Sequence, residues 1–399
     1  MSPSLPIAPT RWILPVIIVS QFAGTSLWFA GNAVLPDLQA AGNIPPGSLG
    51  YVTSAVQLGF ICGTLMFAFL SLADRFSPRI LFFCCALLGA AANLMVYLTP
   101  VGLGSLLLFR FITGLFLAGI YPVGMKIAAG WYQQGLGNAL GLLVGALVLG
   151  TAFPHLLKAM GPVASWQQVI VATSLASALG GLLMLTLVPD GPHHARSSGF
   201  DSRALVSVFE ARAFRAASFG YFGHMWELYT FWAFVPFFLQ AYATSHAVAG
   251  LDIPLWSFAV IGAGFIGCAG GGLLSRRAGS APVAFAQLTT SGLCCLFSPL
   301  AFIAPLPVFL AFLLLWGVAV VGDSPQFSAL TARTAPKHLV GSALTIVNCI
   351  GFSITIASIQ ATNYLSQLVG ARYIFLLLLI GPLLGLAALR PLLRPADPI

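Results

Sequence analysis

Three ionisable side chains sit deep inside apolar runs of the sequence, Arg110, Glu227 and Asp323, and His224 lies one helical turn before Glu227. A charge in hydrocarbon costs about 2.5–3.5 kcal/mol on insertion scales, so such residues mark pathways or interhelical partnerships. His224 and Glu227, three residues apart, share a helix face and form an imidazole–carboxyl pair of the kind that takes up and releases a proton. The plainer reading is that each only hydrogen-bonds to a neighbouring helix. Arg110 shares a face with Thr113, Gly114 and, three turns on, Tyr121. A guanidinium and a phenol are therefore expected on one cavity wall, where arginine holds a carboxylate or similar anion at two points; an interhelical ion pair is the rival. Asp323 precedes Pro325 by two residues, where broken backbone bonding can be satisfied by side chains, and gate duty competes there with substrate contact. Gln21, Thr25, Trp28 and Asn32 follow i, i+4, i+7 and i+11, which predicts one polar stripe. It faces a watery path or bonds to neighbouring helices. Gln57, Asn348 and Asn363 are read first as interhelical hydrogen-bonding groups, and Trp28, Trp226 and Trp316 are the tryptophans near the charged positions.

Elements that bury these residues must be solvated by lipid. Apolar residues make up 59% of the chain and charged ones 7%, against about 25% charged in soluble domains. Spans of roughly 20 apolar residues are expected near 12 to 35, 49 to 71, 80 to 98, 105 to 128, 137 to 157, 167 to 188, 214 to 240, 254 to 275, 281 to 303, 307 to 330, 341 to 365 and 372 to 390. The first run is too long for a signal-peptide core and lacks a clear cleavage site, so it is expected to stay as a span. All 7 cysteines fall inside apolar runs without metal-type spacing and read as small core residues; no metal or cofactor is expected. The net charge of +8 is scattered between spans and not gathered on a soluble face, which argues against nucleic acid.

With the N-terminus inside, that side carries Arg11, Arg75, Arg79, Lys126, Arg196, Arg203, Arg212, Arg215, Arg276, Arg277, Arg333, Lys337, Arg390 and Arg394, and the other side only Lys158 and Arg372. The asymmetry predicts both termini in the cytoplasm. The polar stretch 189–213, with His193 and His194 adjacent, reads as a cytoplasmic linker between six-helix bundles at 1–188 and 214–399. Repeats support the division. Leu72-Ala73-Asp74-Arg75 recurs as Leu274-Ser275-Arg276-Arg277, Gly119-Ile120-Tyr121-Pro122 as Gly322-Asp323-Ser324-Pro325, and Gly137-Asn138-Ala139-Leu140 as Gly341-Ser342-Ala343-Leu344, in order and at nearly constant separation. Parallel six-span repeats related by an axis along the membrane normal are the build of one large transporter class.

Over essentially its whole length the chain resembles the major facilitator superfamily. The loop after span two is similar to the family's signature G-x-L-A-D-R-x-G-R-R in Leu72, Ala73, Asp74, Arg75 and Arg79, with Leu70 and Ser77 in place of its glycines; the second-half copy keeps Gly272 and Gly279 but has Arg276 where the acid stands. The resemblance implies a cytoplasmic charge cluster, centred on Asp74 with Arg75 and Arg79, that latches one conformation. A second signature, R-x-x-x-G in span four, is matched by Arg110, Gly114, Ala118 and Gly119. A third, which marks proton-driven exporters, is met by the spacing of Gly137, Gly141, Gly145 and Gly150 but not by Ala146, which stands where its proline belongs.

The expected fold is an all-α polytopic membrane protein of twelve transmembrane helices in two six-helix pseudo-repeats, the major facilitator fold. The expected function is secondary active transport by alternating access of a small solute, an organic or inorganic anion by virtue of Arg110, coupled to protons through Glu227 and His224. The substrate pathway would comprise Arg110, Glu227, His224, Gln21, Thr25, Trp28, Asn32, Tyr121 and Asp323. Proton-driven export of drug-like amphiphiles is the alternative within transport, and a sensor or scaffold without transport is the alternative outside it. An enzyme is not expected, since no Ser-His-Asp set, His-Glu-x-x-His helix or metal-spaced cysteine group is present. A monomer in the plasma (inner) membrane is expected, with the solute, protons and the bilayer as partners.

Overall fold

The computed structural model describes residues 11–41, 44–132, 136–161, 165–193 and 207–393. Residues 194–206, which include His194, Arg196 and Arg203 of the expected linker, lie outside that description, as does Arg394. Twelve helices carry the described chain: α1 (Ile13–Ala40), α2 (Leu49–Phe69), α3 (Pro78–Leu98), α4 (Leu103–Trp131), α5 (Leu136–Ala159), α6 (Trp166–Leu187), α7 (Arg212–Ser245), α8 (Ile253–Ala278), α9 (Ser280–Ala301), α10 (Leu306–Thr334), α11 (Val340–Leu368) and α12 (Ala371–Leu393). Eleven of them are long and apolar enough to cross a membrane by length and composition. The exception is α7, whose His224, Glu227 and many Tyr and Trp rings hold its hydropathy down. At 34 residues and about 1.5 Å per residue it still exceeds the ~30 Å of hydrocarbon, and most of its side chains are buried among other helices.

Glycine sets the closest helix approaches, and it does so twice. In the first half, Gly59 and Gly63 of α2 press on the backbone of Phe111 and Leu115 in α4, and Gly114 of α4 presses on the Val56 carbonyl. In the second half, Gly267 of α8 meets the Val318 carbonyl of α10, and Gly317 of α10 meets the Val260 carbonyl. A Cβ at any of these positions would overlap a backbone carbonyl, so only glycine permits the van der Waals contact that joins helices in lipid. The other pairings repeat in the same way: α3 on α6 and α9 on α12, α1 on α6 and α7 on α12. These correspondences give the two six-helix pseudo-repeats structural substance.

Breaks also repeat. The helix of α4 is interrupted between Leu117 and Tyr121, and that of α10 at Asp323. Pro122 and Pro325 each fall in the first turn after the break, where a missing N–H costs nothing. A further interruption parts α1 into Ile13–Thr25 and Ala30–Ala40. It divides the polar stripe expected from Gln21 to Asn32, because the phase of the helix is not carried through the turn.

The halves meet along α2–α11 and α5–α8. Gly141 of α5 faces the Cys268 carbonyl of α8, where an added Cβ would lie 3.4 Å from it, and Gly145 lies under the Phe265 ring, whereas Gly150 turns to Phe22 and Thr25 of α1. The small-residue spacing of span five therefore serves two neighbours.

Candidate functional site

The interior of the second half holds the buried acids. Glu227 on α7, with no exposed surface, accepts a hydrogen bond from Ser291 Oγ at 2.7 Å and one from Cys295 Sγ at 3.4 Å, both on α9. Trp316 Nε1 of α10 donates to the same Ser291 hydroxyl at 3.0 Å. One carboxylate oxygen of Glu227, Oε1, has no partner. His224, one turn away, is also buried and pairs not with Glu227 but with Asp323, Nδ1 to Oδ1 at 2.9 Å. The break in α10 at Asp323 is what turns that carboxylate to α7. The approach is close but poorly aligned: neither ring nitrogen of His224 and neither carboxylate oxygen of Asp323 makes a hydrogen bond of good geometry. The expected pair thus separates into two adjoining units, a hydroxyl-bound acid and an imidazole–carboxylate pair.

Arg110 is placed differently from the sequence expectation. Its guanidinium donates from Nη2 to the Leu27 carbonyl at 2.8 Å and to the Trp28 carbonyl, and from Nη1 to Asn93 Oδ1 at 3.1 Å. The two carbonyls lie at the interruption of α1, where the regular i to i−4 pattern is broken and Leu27 accepts only a long 3.4 Å bond from Ala30 N, so the cation closes a backbone gap. Asn93 is itself fixed by Nδ2 bonds to the Ile170 carbonyl (3.2 Å), Thr173 Oγ1 (3.2 Å) and Ser174 Oγ (3.0 Å) of α6. Arg110 and Tyr121 do not share a wall, because the break in α4 separates them: Arg110 faces α1 and α3, and Tyr121 faces the centre of the molecule.

That centre is a narrow cleft, about 20 Å³, between the halves. The first half contributes Tyr121, Val144 and Leu147; α7 contributes Tyr221, Met225, Leu228, Tyr229 and Trp232. The remaining wall is Val321, Ser324 and Ser328 of α10 with Asn348 and Phe352 of α11. Tyr221 Oη donates to Asn348 Oδ1 at 3.1 Å. His224 lies just behind this wall, its ring centroid 6.0 Å from that of Tyr221.

Past the cleft, away from the chain termini, the halves are sealed. Trp28 stacks on Tyr229 (centroids 5.6 Å) and on Phe352 (5.8 Å), and Phe60 packs on Phe352 at 4.4 Å. Farther out, Gly50 N donates to Asn363 Oδ1 (3.3 Å), Asn363 Nδ2 to the Gly47 carbonyl (3.1 Å) and Gln360 Nε2 to Ser54 Oγ (2.8 Å). Two parallel glycine-packed bundles around a midline cleft, closed at one end, match a family model: that of the Major Facilitator Superfamily covers residues 16–359. The chain belongs to the major facilitator superfamily.

Members of the superfamily are transporters and not enzymes, and this chain is an integral multi-pass membrane protein of secondary transport. Its fold is similar to that of the human organic anion transporter MFSD10 (TETRAN), at 18% identity and a TM-score of 0.69, over 96% of this chain and 100% of that one. It is also similar to the proton:xylose symporter XylE, solved with 6-bromo-6-deoxy-D-glucose, at 13% identity and a TM-score of 0.73, over 96% of each chain. No curated protein sequence matches the chain.

The superfamily's loop signature is formed within the first half. Asp74 forms an ion pair with Lys126 of α4, whose Nζ also donates to the Ala73 carbonyl at 2.8 Å. Arg79 approaches Asp190 at 3.8 Å, Ser77 Oγ donates to Asp190 Oδ1 at 2.7 Å, and Arg75 is exposed. Of the span-one residues, Asn32 Nδ2 donates to Thr53 Oγ1 of α2 at 2.8 Å and Thr25 bonds back to the Gln21 carbonyl at 2.8 Å. Both polar atoms of the Gln21 side chain and the Trp28 Nε1 are buried without partners. Sequence reasoning missed Ser291 and Cys295 as ligands of Glu227, and Asn93 as the holder of Arg110. A lone amide in the apolar run of α3 was the available signal for Asn93; nothing set Ser291 apart from the hydroxyls around it.

Proposed function

We propose that this transporter is proton-coupled and works by alternating access, with the buried acids of the second half as the proton site. The bodies that rock are 1–188 and 214–399, tethered by 189–213. The observation that carries the reading is the location of Glu227, His224 and Asp323: buried, incompletely hydrogen-bonded, and one layer behind a wall of the central cleft. Burial of a charge without full compensation is costly, so protonation that relieves it favours a different packing of α7, α9 and α10, and a two-state element biased by a ligand is what coupling requires. The likeness in fold to a proton:xylose symporter agrees with this.

Positive residues at the terminus end argue that both termini are cytoplasmic, in the plasma (inner) membrane, and the far-side seal is then the outer gate of a monomeric unit, closed in this conformation. Asp74, Arg75 and Arg79 are the cytoplasmic gate. Asp74 is held by Lys126 in this conformation and is released to latch the other. A membrane potential of 100 mV is worth about 2.3 kcal/mol per charge, so one inward proton supports roughly 50-fold accumulation of a neutral solute. An anionic solute is a second reading, favoured by the one partnerless nitrogen of Arg110, Nε. The test is flux in proteoliposomes, screened over labelled anions, sugars and amphiphiles with and without an imposed pH gradient. Accumulation that follows the gradient in the native chain and is lost in Glu227→Gln supports the coupling; accumulation indifferent to both removes it. The direction of flux decides between uptake and export of amphiphiles.

A further inference from the structure

The wall of the central cleft is made of aromatic rings, aliphatic side chains, hydroxyls and one carboxamide; among the described residues no charged side chain lines it. The charges nearby are spent elsewhere. Arg110 is held by the carbonyls of the α1 break and by Asn93, Asp323 by His224, and Glu227 by Ser291 and Cys295. A carboxylate placed in this cleft would shed water and meet no cation, which is strongly unfavourable. At about 20 Å³ the cleft in this conformation has room for about one water, so any solute enters only as its walls part.

Ring faces are what the cleft offers from both halves. Tyr121 comes from the first, Tyr229, Trp232 and Phe352 from the second, and Trp28 of the first half stacks on Tyr229 and Phe352 at the cleft's sealed end, interplanar angles 27° and 25°. Opening of the far side must part those two cross-half stacks. A flat ring inserted between them restores face contacts that the parting rings lose, so such a solute lowers the cost of the conformational step itself. Polar recognition falls to Asn348, whose Oδ1 is engaged by Tyr221 and whose Nδ2, without a hydrogen bond among the described residues, is left to donate to a carbonyl or ring nitrogen. We propose that the solute is a planar aromatic molecule carrying no negative charge, bound between Tyr121 and the Tyr229–Phe352 face. This rests on the reading of the chain as a transporter with this cleft as its site.

Binding to the purified full-length chain tests it without any demand for flux, so failure here leaves the coupling test above intact. The probes are benzamide, benzoate, benzyltrimethylammonium and cyclohexanecarboxamide, read by saturation-transfer NMR and by competition among them. Benzamide is expected to bind at least fivefold more tightly than benzoate and than cyclohexanecarboxamide; benzyltrimethylammonium, drawn to the ring faces, should also exceed benzoate. Tyr121→Leu and Asn348→Ala, each confirmed folded by an unchanged melting temperature, should weaken benzamide at least fivefold. Should Tyr121→Leu not fold, Asn348→Ala alone decides. Preference for benzoate, equal binding of the aromatic and saturated amides, no binding of any aromatic probe, or unaltered benzamide binding in the folded variants would each overturn the proposal.

Discussion

His224 of α7 and Asp323 of α10 meet at 2.9 Å with neither side chain exposed, so the imidazole one turn from Glu227 is committed to a different carboxylate. The second half therefore contains two protonatable units on adjoining helices, and the break in α10 that presents Asp323 also places Ser324 on the cleft wall. Under the proposed coupling, movement of that break would link the acids to the cleft.

Removal of His224 leaves the Asp323 carboxylate buried without its partner, at about 3–5 kcal/mol. His224→Ala is expected to lower the melting temperature clearly, whereas Asp323→Asn, which keeps the shape and removes the charge, should fold yet lose at least tenfold in gradient-driven accumulation. Counterflow, which needs no proton step, should survive in Asp323→Asn. Thermal unfolding and paired accumulation and counterflow assays read the two effects separately.

Arg110→Lys keeps the charge but not the fork that spans Asn93 and the α1 carbonyls. Each lost charged hydrogen bond is worth about 1.5–3 kcal/mol, so a lower melting temperature with little change in KM is expected. A normal melting temperature with a tenfold rise in KM would instead mark Arg110 as a solute ligand.

Among the glycines, Gly59→Ala and Gly267→Ala should both impair folding, since each new Cβ would overlap a carbonyl of the facing helix. Gly104→Ala and Gly270→Ala, with nothing within 4 Å of the added atom, should be close to neutral. Yields of monodisperse protein compare the four directly.

A disulfide can lock the far side. Gly50 and Asn363 face each other across the halves, and in a background lacking the exposed Cys62 and Cys84 the pair Gly50→Cys and Asn363→Cys should cross-link on oxidation and stop transport. Reductant should restore it. Continued flux in the fully cross-linked protein would mean that this seal does not open during the cycle.

The helices were legible in the sequence because lipid demands long apolar runs, and the repeats because glycine spacing and Pro-marked breaks are local signals. Gly322-Asp323-Ser324-Pro325 announced a break where α10 has one. Partner choice was not legible. His224 and Glu227 share a face by sequence, but which carboxylate the imidazole meets depends on how α10 docks against α7. Arg110 read as an anion site because arginine in hydrocarbon suggests a path; the interruption of α1 that consumes its donors leaves no proline or glycine at positions 26–29 to reveal it. The aromatic cleft, too, exists only once Tyr121, Tyr229 and Phe352 from three separated spans are brought together.

The most direct test of coupling through the second half's acids is proton movement during solute uptake in weakly buffered proteoliposomes carrying an internal pH dye. The native chain should acidify the lumen as a transported solute enters, and Glu227→Gln should exchange solute with no pH change. A native chain that takes up solute without moving protons, or a Glu227→Gln variant that moves them as well as the native chain, would contradict the account.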